Sequence, residues 1–256
     1  MSDTLTYVYA LARDVDPGAA GALRGVGGRP VRTVEAAGVA AVVSDVDRAE
    51  FEERALEERL EDLEWLAATA RAHHHVVDTL GRDHLVAPLA LATVYFDDDR
   101  VRAVLTEGRA TFAAVLDQLA GRAEWGVKVY GRPGAAREQA GDEKPRSGAD
   151  YLRRRRAALR EGDTALDAAR EVAGEVDAAA TALAVASRTH RLQDATLSGE
   201  SDPMVLNRAY LVPVERTDAL RELVASYGGH RQVRVELTGP WVPYSFAQAA
   251  PEGSTP

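Results

Sequence analysis

The sequence contains no cysteine. Disulfides, thiolate nucleophiles and cysteine-based metal sites are all excluded, which fits a reducing compartment. No stretch approaches the ~18 uninterrupted apolar residues that a membrane-crossing helix needs. The first residues, MSDTLTYVYA, lack a basic segment followed by an apolar core, so no signal peptide is expected and the cytoplasm is the default location. Basic excess is missing too: 31 Lys and Arg face 40 Asp and Glu, a formal charge of −9. Nucleic-acid binders usually need a basic face, so that class is disfavoured. Aromatic residues are scarce at 6%, against 46% apolar residues in all. Alanine supplies much of that share, so closely packed helices are expected. Catalytic signatures are absent as well. No GxxxxGK[ST] follows a strand, no GxSxG occurs, and RGVGGRP does not match GxGxxG. Carboxylates are plentiful but show no recognisable catalytic spacing.

What is present is a fold. The 256 residues suit one large domain or two ordinary ones. The most readable stretch runs from Leu206 to Phe246. AYLVPV reads as a strand, with Pro213 placing it at an edge or at a bulge. Thr217 and Asp218 can cap a helix whose stripe is Leu220, Leu223 and Val224, and Gly228 and Gly229 end it. Gln232 to Leu237 alternates polar and apolar, as a strand with one wet face does. GPWVPYSF follows. Pro240 and Pro243 stiffen it, so Trp241, Tyr244 and Phe246 are presented with little conformational freedom. These rings either pack onto their own domain or form a docking surface, because rigid aromatics lose little entropy on binding. The expectation is mixed: Trp241 as an internal anchor, Tyr244 and Phe246 nearer an exposed edge.

The first half reads as strand, short helix, hairpin, long helix, strand, helix. Leu5 to Ala12 is the first strand, and Ala37-Gly38 turns a hairpin. Phe51 to Leu80 is predicted as one helix with Leu56, Leu60, Leu63, Ala67, Ala70, His74 and Val77 on its inner face. Its outer face is densely acidic. Leu85 to Phe96 reads as a strand. Asp97 to Asp99 can cap a helix over Val101 to Leu119, with Phe112 and Leu116 inward. The order points to an α+β fold whose first domain, residues 1–122, is a modified ferredoxin-like antiparallel sheet with helices on one face. Its predicted core includes Leu56, Leu60, Leu63, Val77, Leu89, Leu91, Phe112 and Leu116.

Residues 123–256 are expected to form a second α+β domain with long helices, a small sheet and the aromatic tail. Glu124 to Tyr130 opens it as a strand, and 133–150 reads as a flexible loop. Tyr151 to about Leu192 is helical, with Leu152, Leu159, Leu166, Ala173 and Ala180 repeating every seven residues. Gly162 and Gly174 are candidate breaks, so one helix and several are both open. The second half thus echoes the first in outline.

His73, His74 and His75 invite a metal reading. Adjacent helical residues point about 100° apart, so three in a row cannot converge on one ion. No metal site is expected, and His73 and His74 are expected to be partly buried and hydrogen-bonded. Arg153 to Arg156 wrap a whole turn and make no single basic face. Catalytic and cofactor-binding residues are expected to be none.

YVYAL at Tyr7, RAHHHVV around His73, APLALATVYF, EWGVKVYG at Glu124, YLRRR at Tyr151, LNRAYLVP at Leu206 and TGPWVPYSF at Thr238 occur in one collinear series over nearly the full length. Together they resemble the gas vesicle GvpF/GvpL family. The tail is the most specific of them, and Val242 stands where that family commonly has proline. The resemblance implies an accessory protein of gas vesicle assembly, located at the vesicle or in the cytoplasm during assembly. It implies contact with the small hydrophobic gas vesicle shell protein and with other gas vesicle accessory proteins. It brings no catalytic residues and no cofactor, so the chain is expected not to be an enzyme. An enzyme, or a small-molecule-binding regulatory module, with a site in the cleft between the domains is the alternative, and no motif stands behind either. Trp241, Tyr244 and Phe246 are the candidate partner-binding residues.

Overall fold

The computed structural model describes residues 3–132, 147–193 and 202–247. The chain divides into two compact units, Met1–Gly121 joined by the returning segment from Trp241, and Arg122–Pro240. The tail was expected to close the second domain. It belongs instead to the first, because Val242 and Tyr244 pack against that unit's core.

The first unit opens with β1 (Thr4–Arg13), whose eight central residues are all buried. Such a continuous apolar run is the signature of a strand covered on both faces. A bulge at Tyr9, between the pairs Val8–Val43 and Ala10–Val42, sorts the side chains. Leu5, Tyr7, Tyr9 and Ala12 join one core. Val8 and Leu11 face Val101, Leu105 and Phe112 on the other side. A short helix α1 (Pro17–Gly21), capped by Asp16, leads to the hairpin β2 (Val31–Ala36) and β3 (Val39–Asp47). Ala37 and Gly38 both take positive φ, 53° and 80°, as a two-residue hairpin turn requires.

The predicted single helix over Phe51–Leu80 is three pieces: α2 (Arg48–Phe51), α3 (Glu53–Leu60) and α4 (Leu63–Leu80). Asp62 is the reason for the last break. Its extended backbone stops α3, and its carboxylate accepts from the Glu64 and Trp65 N–H groups to start α4. The restart shifts the buried stripe to Thr69, His73, Val76, Val77 and Leu80. Leu60 and Leu63, predicted to be core, are 43% and 78% exposed, while Leu56 is only half-buried. The expected strand over Leu85–Phe96 is likewise interrupted, into β4 (Leu85–Pro88) and β5 (Val94–Tyr95), with Ala92 at φ 62° between them. Leu89 and Leu91, on that excursion, are half-buried rather than core. Two helices follow, α5 (Asp98–Glu107), capped by Asp97, and α6 (Arg109–Leu119), divided at Gly108. The sheet order is β2-β3-β1-β4, with β5 also on β1. One face carries α4 as expected. The other carries α5 and α6, a layer not anticipated.

The second unit runs β6 (Arg122–Gly131), α7 (Gly148–Leu183), β7 (Ala186–Thr189), β8 (Met204–Pro213), α8 (Thr217–Ser226) and β9 (Val233–Trp241). Its sheet order, β7-β8-β6-β9, repeats that of the first unit: second, third, first, fourth strand. With its two crossover helices this is the ferredoxin-like βαββαβ arrangement. Neither Gly162 nor Gly174 breaks α7, which is continuous over 36 residues, about 54 Å at 1.5 Å per residue. Ala169, Val172, Ala173, Val176 and Ala180 bury its second half against Trp125, Val127, Tyr210 and Val212. The approach is close, since a Cβ on Gly131 would lie 3.1 Å from the Ala169 Cβ. Most of the predicted 133–150 loop lies outside the described residues, and Gly148–Asp150 already belong to α7.

Candidate functional site

Three features can be built from the residues upward. The first is the tail. Gly239 has φ 123°, and a Cβ there would meet the Glu124 carbonyl at 2.8 Å, so only glycine fits this exit from β9. Trp241 follows and is 54% exposed. Beyond it the chain is anchored. Val242 and Tyr244 pack on the first unit's core, and Phe246 and Ala247 are buried. The three candidate rings are therefore not one surface. The expected roles are reversed, with Trp241 outward, Phe246 inside and Tyr244 half-buried. The physical reason is that the strand ends at Trp241 with its indole outside, and the chain after it enters the first unit's core.

The second feature is what Tyr244 lies against. His73 is fully buried, among Tyr7, Tyr9 and Tyr244 with ring centroids 5.8, 5.6 and 6.2 Å away. The Ala92 N–H donates to the Tyr7 hydroxyl at 3.1 Å. That hydroxyl is 2.9 Å from His73 Nδ1. The hydroxyl and the imidazole share one hydrogen bond, whose direction follows the His73 tautomer, and the buried Nε2 has no hydrogen-bond partner among the described residues. Burial, with the neighbouring His74, lowers the His73 pKa to about 4, so the ring is neutral at ordinary pH. Burial also pushes the Tyr7 hydroxyl well above its usual range. The Tyr9 hydroxyl accepts from the Val26 N–H and pairs with Ser44 Oγ at 2.7 Å. A Cβ on Gly25 would lie 2.0 Å from that hydroxyl, so Gly25 makes room for it. Phe51 and Trp65 complete the aromatic group. His74 is exposed rather than half-buried, and its ring meets Tyr244 edge-on at 5.2 Å. Burial, then Asp78 and Tyr7, raise the Tyr244 hydroxyl. This cluster ties β1, α4, the Ala92 turn and the tail together. It is a locking device with neutral groups, and no local pattern signalled it, because Tyr7 and His73 are 66 residues apart.

The third feature is a recess of about 300 Å³ lined by Thr4, Thr6, Arg32, Asp45, Phe96 and Asp97–Asp99. Arg32 bridges Asp45 and Asp98 at 2.9 and 2.7 Å. Burial opposes ionisation of Asp98, but Arg32 and the Thr6 hydroxyl outweigh it and hold the carboxyl below its usual range. The recess is acidic and internally paired. In the second unit, Asp177 on α7 accepts from Arg208 and from the Tyr210 hydroxyl on β8, fastening helix to sheet. Among the described residues, no group of three or more His, Asp or Glu is placed to hold a metal ion, and no helix is long and apolar enough to cross a membrane.

Comparison with known proteins gives a consistent result. A profile of the family described as "Gas vesicle synthesis protein GvpL/GvpF" matches residues 5–248. "Gas vesicle protein L" of a Streptomyces species is 45% identical, over 98% of this chain and 96% of its own. "Gas vesicle protein F2" of Halobacterium salinarum is 26% identical, over 96% and 93%. The crystal structure of the gas vesicle protein GvpF from an Anabaena species superposes with a TM-score of 0.67 at 18% identity, covering 96% of both chains. That of GvpF from Microcystis aeruginosa gives 0.63 at 17%, covering 95% and 99%. At these identities the two structures speak for the fold.

Proposed function

Because the chain belongs to the gas vesicle synthesis protein GvpL/GvpF family, we propose that it serves gas vesicle assembly as a non-catalytic accessory that contacts the small hydrophobic shell protein. A shell subunit that buries an apolar face on assembly needs a partner before that face is covered. The observation that supports the contact is Trp241. Its indole is exposed, at the last residue of strand β9. An indole presented this way loses little freedom on docking. Tyr244 and Phe246 support the site as anchors rather than as contact residues. The protein would act at the vesicle or beside it in the cytoplasm, together with other gas vesicle accessory proteins.

Trp241→Ala separates the roles. The expected outcome is a melting transition shifted by no more than ~0.5 kcal/mol, as for an exposed site, with capture of the shell protein reduced about tenfold or more, as for an aromatic hot spot. Unchanged capture by Trp241→Ala would remove the indole from the contact.

A further inference from the structure

The seven-residue repeat of α7 continues past the point where the sheet can cover it. Ala169, Ala173 and Ala180 are buried, Leu166 is half-buried, but Leu159 and Leu152 on the same stripe are 61% and 56% exposed. Arg155 and Arg156 lie between those two leucines, at steps of three and four from each, so they flank the stripe on its own face. Arg160 extends the basic side, Asp163 adds one exposed carboxylate on the same face at a step of four from Leu159, and Glu161 points to the opposite face. The result is an apolar ridge edged with arginine, on a chain whose overall charge is −9. The chain carries the complement elsewhere. At the α3–α4 junction Leu60 and Leu63 are exposed, among exposed Glu57, Glu58, Glu61 and Glu64. Asp62 holds the junction in shape as the α4 cap, and Arg59 is drawn away toward Glu50 at 3.5 Å.

We propose that the leucine–arginine face of α7 docks on the leucine–glutamate junction of α3 and α4 in a second copy of this chain. Each patch exposes leucine side chains to water at a cost, and the two rims carry excess charge of opposite sign. The two patches differ, so the contact is head-to-tail. Every copy presents one free patch of each kind after pairing, and association extends beyond a dimer unless a ring closes. The contact weakens with salt, since the rim charges are exposed. It is independent of the Trp241 contact and uses no residue of the tail.

The cysteine-free background makes the test clean. Chains bearing Leu159→Cys and chains bearing Leu63→Cys are mixed and oxidised, and the doubly substituted chain is oxidised alone. The expected result is a disulfide between the two different chains, preferred over either self-pair. In parallel, sedimentation of the full chain over the micromolar range follows self-association. Arg155→Glu with Arg156→Glu should weaken it by about tenfold or more. Mixing that variant with a Glu57→Arg, Glu61→Arg chain should restore pairing. A chain that stays monomeric throughout, a disulfide that forms only within one doubly substituted chain, or association indifferent to the charge reversal would each overturn the proposal.

Discussion

The two units share a strand order and differ in how their sheets are covered. In the first, the eight central residues of β1 are buried, between α4 on one face and α5 and α6 on the other. In the second, β9 alternates. Val233, Val235 and Leu237 meet the helical core, while Arg234 and Glu236 on the other face pair with each other. The same topology thus supports two polar designs. The first unit takes polar groups inside and satisfies them only in part: the Tyr7 hydroxyl bonds to Ala92 and His73, while the buried His73 Nε2 and Tyr244 hydroxyl have no hydrogen-bond partner among the described residues. The second keeps one buried-edge link, Asp177 to Arg208 and Tyr210, and leaves the rest partly wet. Buried polar networks are costly when half-satisfied, so the first unit should be the more sensitive to single changes.

The largest expected effect lies in the tail. Phe246→Ala should destabilise the first unit by about 3–5 kcal/mol, the range for large-to-small core changes. Hydrogen exchange would show β1 amides losing protection while β6 amides keep theirs. Equal loss in both units would mean that the tail belongs to the molecule as a whole rather than to one core.

A pH titration probes the same unit through His73. Burial lowers its pKa from the ordinary 6.5 to about 4. The unfolded chain therefore takes up a proton near pH 6.5, and the folded chain only near 4. Stability is complete above about 6.5 and falls as pH drops through that window, by about 3 kcal/mol in all at 1.36 kcal/mol per pH unit. His73→Gln should flatten this slope in the first unit. A slope that persists in the variant would assign it to other groups.

The second unit has a smaller lever. Asp177→Asn removes the charge that Arg208 and Tyr210 share, and should cost roughly 2 kcal/mol, because a largely buried guanidinium loses its counter-charge. Chemical denaturation followed at Trp125 would report it. No change there would place the strength of the α7–β8 seam in its alanines alone.

Much of this was legible from local pattern. The hairpin at Ala37-Gly38, the caps at Asp97 and the alternation of Gln232–Leu237 were each readable, because a turn, a cap or a period-two strand depends on a few neighbouring residues. The tail was legible as rigid but not as to which ring faces inward. The helix over Phe51–Leu80 was misread at two residues, Glu52 and Asp62, which are both extended. Asp62 satisfies a helical charge pattern as well as a cap, and only its bonds to Glu64 and Trp65 decide between the two.

The sequence by itself determined the class of the fold, the family resemblance and the absence of thiol chemistry, since composition and short-range periodicity carry those. Tertiary structure alone decided that α7 runs unbroken past its glycines, that His73 sits neutral under Tyr7, and that Tyr244 and Phe246 close the first unit. Those outcomes depend on which surfaces meet across long stretches of chain, as Asp177 and Tyr210 do at a separation of 33 and Tyr7 and His73 at 66. Burial energy is settled by that meeting and not by neighbours in sequence.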